Sequence, residues 1–228
     1  MAHTELRIID ACVFDAYGTL FDVGSAAKRC ADILGDKADA LTAQWRTSQL
    51  QYTWLRSLMG RHADFRQVTG EALDFAMDAL GIADNGLKAR LMDLYLELAA
   101  YPDAQVALAA LRRANRRVAI LSNGTPKMLA AVVKSAGLET LLDLILSIEE
   151  VGLYKPHPLV YRLAVDRLGV KPERICFISS NGWDIAGASA FGLKAVWVNR
   201  IDAKQERLPA QPAAQIKRLD ELPTLLGI

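Results

Sequence analysis

Five short stretches, residues 11–14, 118–121, 144–147, 175–178 and 195–198, are apolar on consecutive residues rather than on alternate ones. Such runs suit strands covered on both faces, as in a parallel sheet, whereas a sheet wetted on one face alternates. Segments with helical periodicity separate the runs in the second half of the chain. The pattern predicts an α/β fold with a doubly wound, Rossmann-like parallel sheet, whose ligands bind at the carboxyl ends of the strands.

The interval 23–97 breaks this pattern. It holds no convincing strand and reads as several amphipathic helices, two of them over 41–58 and 71–80. Because it departs just after the first strand, it is expected to form an inserted all-helical cap over the strand ends. Residues 1–22 and 98–228 would then form the core. The stretch 208–215, Leu-Pro-Ala-Gln-Pro-Ala-Ala-Gln, reads as a surface loop before a short terminal helix.

Composition narrows the classes. A chain of 228 residues can hold one such core with its insert, and 52% hydrophobic with 23% charged residues is a globular balance. Lys and Arg number 27 against 26 Asp and Glu, so no net field argues for nucleic acid or an anionic membrane surface. Any anion site must be local. There is no secretory-leader pattern and no apolar stretch long enough to span a bilayer, so a cytoplasmic location is expected. Cys12, Cys30 and Cys176 lack the close spacing of metal or redox pairs and read as reduced core residues. His3, His62 and His157 form no ligand set, and neither a Gly-x-Ser-x-Gly elbow nor a phosphate loop ending in Gly-Lys-Ser/Thr is present.

Chemistry gathers at four predicted strand ends. The first run leads into Asp15-Ala16-Tyr17-Gly18-Thr19, a carboxylate followed by a turn glycine; alone, Asp15 would as readily cap that turn. The second leads into Ser122-Asn123-Gly124-Thr125-Pro126, with Thr125 as helix N-cap and Pro126 at the first helical position, an anion seat or an ordinary loop. A third segment carries Lys155 before Pro156, His157 and Pro158, and either Lys155 or His157 alone reads as a solvated loop residue. The fourth, Ser179-Ser180-Asn181-Gly182-Trp183-Asp184, ends a strand with donors and one carboxylate, where Asp184 could serve as N-cap.

Taken in order, these segments resemble the haloacid dehalogenase superfamily, whose four motifs are a nucleophilic Asp, a Ser or Thr, a Lys and a terminal acidic cluster. Most of that superfamily transfers phosphoryl groups with Mg²⁺. Two departures point elsewhere. The residue that in phosphatases protonates a departing alkoxide is here Tyr17, a poor acid near neutrality, whereas a halide leaves without a proton. The acidic cluster retains one carboxylate, with Asn181 and Trp183 beside it, a poor seat for Mg²⁺. Both departures, and the helix segment 45–56 that contains Arg46, resemble the (S)-2-haloacid dehalogenase branch.

That resemblance implies hydrolysis of short 2-haloalkanoic acids to 2-hydroxy acids with inversion at C2, through an ester on Asp15, with no metal or cofactor. It implies that Lys155 keeps Asp15 ionised, Asp184 activates water and Arg46 receives halide, although Arg46 alone would read as a solvated helix residue. Thr19, Tyr161, Ser179 and Asn181 would orient these groups. Ser122 and Asn123 would bind the substrate carboxylate, and Tyr17, Leu50, Phe65 and Trp183 would wall the pocket. Preference for the L enantiomer and a homodimer packed through cap helices are further expectations of the resemblance. The alternatives are a Mg²⁺-dependent small-molecule phosphatase and a catalytically idle homologue that binds a ligand or partner.

Overall fold

The computed structural model describes residues 4–228; His3 lies outside them. Six parallel strands form one sheet: β1 (Ala11–Phe14), β2 (Arg117–Ser122), β3 (Leu144–Ser147), β4 (Ile175–Ser179), β5 (Lys194–Val198) and β6 (Ala214–Ile216). Their order is β3-β2-β1-β4-β5-β6. Every residue of β1 and β4 is buried, which is why both read as unbroken apolar runs. The chain winds outward from β1 to β3 and then returns to β4, on the other side of β1. The carboxyl ends of β1 and β4 therefore flank the topological switch point, where the two halves of the sheet part and leave a crevice. Phe14 pairs with Ile120 on one side and Ile178 on the other, and the Asp15 N–H extends the ladder by donating to the Ile178 carbonyl at 2.9 Å.

One expectation needs correction. Residues Ala214 and Gln215, assigned to a surface loop, belong to β6, which pairs with β5 through Val196–Ala214 and Val198–Ile216. This strand is short, lies at the edge, and exposes Gln215 between two buried residues, so it leaves no apolar run to read.

Ten helices accompany the sheet among the described residues: α1 (Ser25–Lys28), α2 (Ala31–Leu34), α3 (Ala38–Met59), α4 (Phe65–Ala79), α5 (Asn85–Leu94), α6 (Pro102–Arg113), α7 (Pro126–Ser135), α8 (Pro158–Leu168), α9 (Gly182–Phe191) and α10 (Leu222–Leu226). None is long and apolar enough to cross a membrane. The first five follow β1 without an intervening strand of the sheet. In α4, residues Phe65, Val68, Thr69, Ala72, Leu73, Ala76 and Met77 are buried, the spacing of a single helical face, and this face packs on α3. The helix begins six residues before the expected start at 71 because the Asp64 carboxylate accepts the Gln67 N–H at 2.8 Å and caps it.

The helical block joins the core through a narrow neck. Asp22 N–H donates to the Ala99 carbonyl and Tyr101 N–H to the Leu20 carbonyl, both at 2.8 Å, so the outgoing and returning chains run side by side. Arg200 pins this neck from the core. Its guanidinium donates to both Asp103 oxygens at 2.7 and 3.1 Å and to the Thr19 carbonyl at 3.1 Å, and it lies 4.0 Å from the centre of the Tyr101 ring. On its far side the block touches the chain after β3. There His62 Nε2 meets Glu149 Oε2 at 3.0 Å, Tyr154 hydroxyl donates to the Ala63 carbonyl at 2.6 Å, and Tyr154 N–H donates to Ser57 Oγ at 3.0 Å.

Candidate active site

Asp15 follows β1 directly, and the turn behind it is made possible by Gly18, whose φ of 92° an L side chain resists. The carboxylate is almost enclosed. Its Oδ2 accepts Asn181 Nδ2 at 2.9 Å, Thr19 Oγ1 at 3.1 Å and Ser179 Oγ at 3.4 Å, and its Oδ1 meets Lys155 Nζ at 3.2 Å. Ser179 Oγ accepts the Asn181 N–H at 3.1 Å, which turns its own proton toward Asp15. The three donors to Oδ2 come from the ends of β1 and β4, on either side of the switch point, and Lys155 from the segment after β3. Asp15 is a member of this network and not a turn cap.

Lys155 is buried and bridges two carboxylates, with Asp184 Oδ2 at 2.9 Å. Burial acts to lower its pKa, but Asp15 and Asp184 outweigh burial and hold the ammonium above the ordinary lysine value. Asp184 is not the N-cap of α9. Asn181 occupies that position, and Asp184 sits in the first turn, fully buried, with Tyr161 hydroxyl donating to its Oδ1 at 2.7 Å. Burial raises the Asp184 carboxyl to about 6 against the opposing pull of Lys155, with Asp15 adding to the rise and Tyr161 restraining it. Burial, with Asp184 next, raises the Tyr161 phenol well above its usual value, so it remains a donor. Close packing makes this possible: a Cβ on Gly187 of α9 would stand 2.5 Å from both the Tyr161 hydroxyl and Pro156 Cβ.

The second strand end contributes Ser122 and Asn123, both buried. Two N–H groups expected to be free are used within the turn, Gly124 N–H by Ser122 Oγ at 3.1 Å and Met128 N–H by the Thr125 cap at 3.2 Å. The anion seat is therefore smaller than a bare helix terminus. Asn123 Oδ1 accepts the Lys155 N–H at 3.2 Å and so ties this loop to the third. His157 is the N-cap of α8, its Nδ1 accepting the Leu159 N–H at 3.3 Å, and not a group of the site.

From the helical block, Arg46 donates to the Tyr17 carbonyl at 3.3 Å and to Gln49 Oε1 at 2.7 Å. Tyr17 is buried, with its ring 5.5 Å from Phe65 and 5.2 Å from Tyr95. Its hydroxyl has no hydrogen-bond partner and abuts Gly124, where an added Cβ would lie 2.9 Å from the oxygen. Burial, then Tyr95 and Asp15, push this phenol well above its ordinary value, so it is a donor and not an acid. An orphaned donor at a loop with anion-binding groups is a place for a ligand acceptor.

Of the expected walls, Leu50 is half-buried on α3, and Trp183 packs edge-on against Trp54 at 5.4 Å. Sequence reasoning missed Ser180, Gln49 and Tyr95. Ser180 donates to the Gly18 carbonyl at 2.8 Å and its N–H to Thr19 Oγ1 at 2.8 Å, which fixes the turn behind Asp15. Gln49 donates to Thr69 and Tyr95 and thereby holds Arg46. Its spacing of three from Arg46 on a helix was the available signal.

The donor set does not suit Mg²⁺. Asn181 turns its amide N–H toward Asp15, and the Lys155 ammonium occupies the space between the two carboxylates, whereas Mg²⁺ needs several hard oxygens in octahedral array.

Known proteins resemble this chain along most of its length. A family described as haloacid dehalogenase-like hydrolase matches residues 9–192. (S)-2-haloacid dehalogenase 1 of Pseudomonas sp. (strain CBS-3) is 50% identical over 96% of this chain and 96% of its own. (S)-2-haloacid dehalogenase 4A of Burkholderia cepacia is 50% identical over 95% of this chain and 94% of its own. Among solved structures, the L-2-haloacid dehalogenase of Xanthobacter autotrophicus with chloropropionic acid covalently bound superposes with a TM-score of 0.90 at 38% identity, covering 96% of this chain and 98% of that one.

Proposed function

The chain belongs to the haloacid dehalogenase-like hydrolase family, and from that premise we propose that it is a hydrolytic (S)-2-haloacid dehalogenase working through an ester on Asp15. The observation that carries the reading is the state of Asp15: ion-paired to Lys155 on Oδ1 and held by three donors on Oδ2, with Tyr17 rather than a carboxylic acid two residues on.

Oδ2 is occupied by its donors, so Oδ1 attacks C2 from the side opposite the halogen. The C–halogen bond breaks with its electron pair on the halide, which Arg46 receives, and C2 inverts. Ser122, Asn123 and the Tyr17 hydroxyl hold the substrate carboxylate. In the ester, Oδ2 is the carbonyl oxygen. Water adds to Cγ as Asp184 takes its proton, and the charge that develops on Oδ2 falls on Asn181, Thr19 and Ser179, which are already aimed there. The Cγ–Oδ1 bond then breaks, the departing 2-hydroxy oxygen takes the proton held between Asp184 and Lys155, and Asp15, left as its carboxylic acid, loses its proton to solvent. A carboxyl raised to about 6 suits a base that must accept a proton near neutrality.

The test is halide release from L-2-chloropropionate beside phosphate release from p-nitrophenyl phosphate, each with and without EDTA. Halide release insensitive to EDTA is expected. Phosphate release that depends on added Mg²⁺ would return the chain to the phosphatase branch.

A pH prediction follows from Asp184. The rate of ester hydrolysis should fall below about pH 6 as the carboxyl becomes protonated. Tyr161→Phe removes a hydrogen bond to the charged form, so it should move this acid limb upward by roughly half to one pH unit, while the ring keeps its packing on Phe177 and Phe191. An unmoved limb would assign the water to another base.

Residues 23–97 act in this reading as a cap hinged at the neck, and the active form is a cytoplasmic homodimer joined through the cap. Ile33, Leu55, Leu58, Met59 and Phe75 are its exposed large apolar residues, and sedimentation at two concentrations checks the assembly.

A further inference from the structure

Arg46 is a cation that the fold leaves without an anion. Its guanidinium donates to Gln49 Oε1 at 2.7 Å and to the Tyr17 carbonyl at 3.3 Å, and both acceptors are uncharged. The phenols of Tyr17 and Tyr95 lie within reach of its charge, and burial, the largest cause in each case, keeps both protonated. No carboxylate pairs with Arg46 among the described residues, whereas Arg56, farther along the same helix, meets Glu71 Oε2 at 2.6 Å. A half-buried cation held only by dipoles keeps its field for an anion that arrives with the reaction.

Gln49 makes this possible, and its amide has one orientation. The side chain is buried, with Nε2 donating to Thr69 Oγ1 at 2.8 Å and to the Tyr95 hydroxyl at 3.1 Å. Thr69 directs its own proton to the Phe65 carbonyl at 2.6 Å, so toward Gln49 it can only accept, and Nε2 must face it. Thr69 is fixed in turn, since Trp45 Nε1 donates to its carbonyl at 2.8 Å. Oε1 is therefore left to Arg46. A carboxylate of the same shape would also hold the guanidinium, but it would neutralise it.

We propose that Gln49 is a specificity-determining positioning residue, a locked and neutral acceptor that fixes Arg46 without quenching its charge and so sets how well the site tolerates a poor leaving group. The inference rests on the dehalogenase reading, in which Arg46 receives the halide, and adds what governs the choice among halogens. As the C–halogen bond breaks, charge grows on the departing atom, and the field of Arg46 lowers the barrier as that charge develops. Chloride is the smaller ion and the poorer leaving group, so chloro acids depend on this field more than bromo acids do.

The experiment mixes excess protein with L-2-chloropropionate or L-2-bromopropionate and follows halide release in a single turnover, which reads the displacement and not the later ester hydrolysis. It is run on the unmodified protein, on Gln49→Glu and on Gln49→Met. The chloro-to-bromo rate ratio within one variant is independent of the fraction folded, which separates it from any loss of stability at this buried position. Gln49→Glu should lower the ratio about tenfold by quenching Arg46, and Gln49→Met, which removes the anchor but adds no charge, about threefold. An unchanged ratio in either variant, with both rates reduced alike, would overturn the proposal and leave Gln49 as packing between α3 and α4. So would a ratio that drops as far with methionine as with glutamate, since the charge of the acceptor would then not matter. No halide release by the unmodified protein from either acid would instead sink the dehalogenase reading on which the proposal depends.

Discussion

Asp15→Asn is expected to lower halide release from L-2-chloropropionate by a factor on the order of 10⁴ or more, with little change in stability. The amide keeps the shape of the carboxylate but lacks the electron density to displace halide. The Lys155 ammonium would also lose one of its two anionic partners. An isotope experiment on the unmodified protein tests the same assignment without mutation. With enzyme in excess over substrate in heavy-oxygen water, one turnover should place the label in the Asp15 carboxylate and leave the hydroxy acid unlabelled, because the hydroxyl oxygen is donated by Asp15 and replaced from water afterwards. Label in the hydroxy acid of that first turnover would mean that water attacks C2 directly, and Asp15 would be reduced to an electrostatic role.

Lys155→Met is expected to remove activity by a factor of about 10³ or more and to destabilise the fold by about 3–5 kcal/mol at pH 8. Methionine has nearly the length of lysine and can lie on the Phe177 ring, 4.8 Å from which the ammonium now sits, so the loss is one of charge rather than of volume. Two buried carboxylates would remain without a cation. The sign of the pH dependence follows from Asp184. Its carboxyl is raised in the folded protein to about 6 from an ordinary value of 3.8, so between these values the folded state holds a proton that the unfolded state has released. Stability therefore falls as pH rises through that window. Lys155 pulls the value down, and without it the decline continues to higher pH. The stability gap between wild type and variant should widen from pH 5 to pH 8, as measured by urea unfolding at each pH. A gap that stays constant would show that Lys155 supports the fold through packing alone.

The sheet was legible because its inner strands are covered on both faces and so are apolar without interruption; all five expected runs match strands within a residue at each end, and those over 11–14 and 144–147 match at both. The edge strand β6 escaped because one side of it is wet and its length is three residues. The network around Asp15 was legible as a set, since each member lies at a strand end, but its wiring was not. Lys155 reaches Asp15 across 140 positions, and nothing local to either residue encodes a 3.2 Å contact. Taken alone, Asp184 read equally as a helix cap because an acidic residue near a helix start usually is one; its actual partner lies on another loop. Tyr17 was expected as a wall that merely replaces an acid. The structure adds that its hydroxyl is buried without a partner, a property of three-dimensional surroundings that no spacing carries.

The neck between the sheet and the helical block has a consequence for how such a protein is assembled. Phe21 and Ala100 bridge one another, so from the side of the sheet everything between them is equivalent to a tight hairpin connection. The entropy of closing a connection grows only slowly with its length, so the sheet is nearly indifferent to how many residues the connection holds. A different helical insert could be grafted at the same two positions without altering strand register, provided Arg200 kept its grip on Asp103 and Thr19. The graft would bring its own ceiling to an unchanged Asp15, making the helical block a replaceable cassette and the sheet its socket.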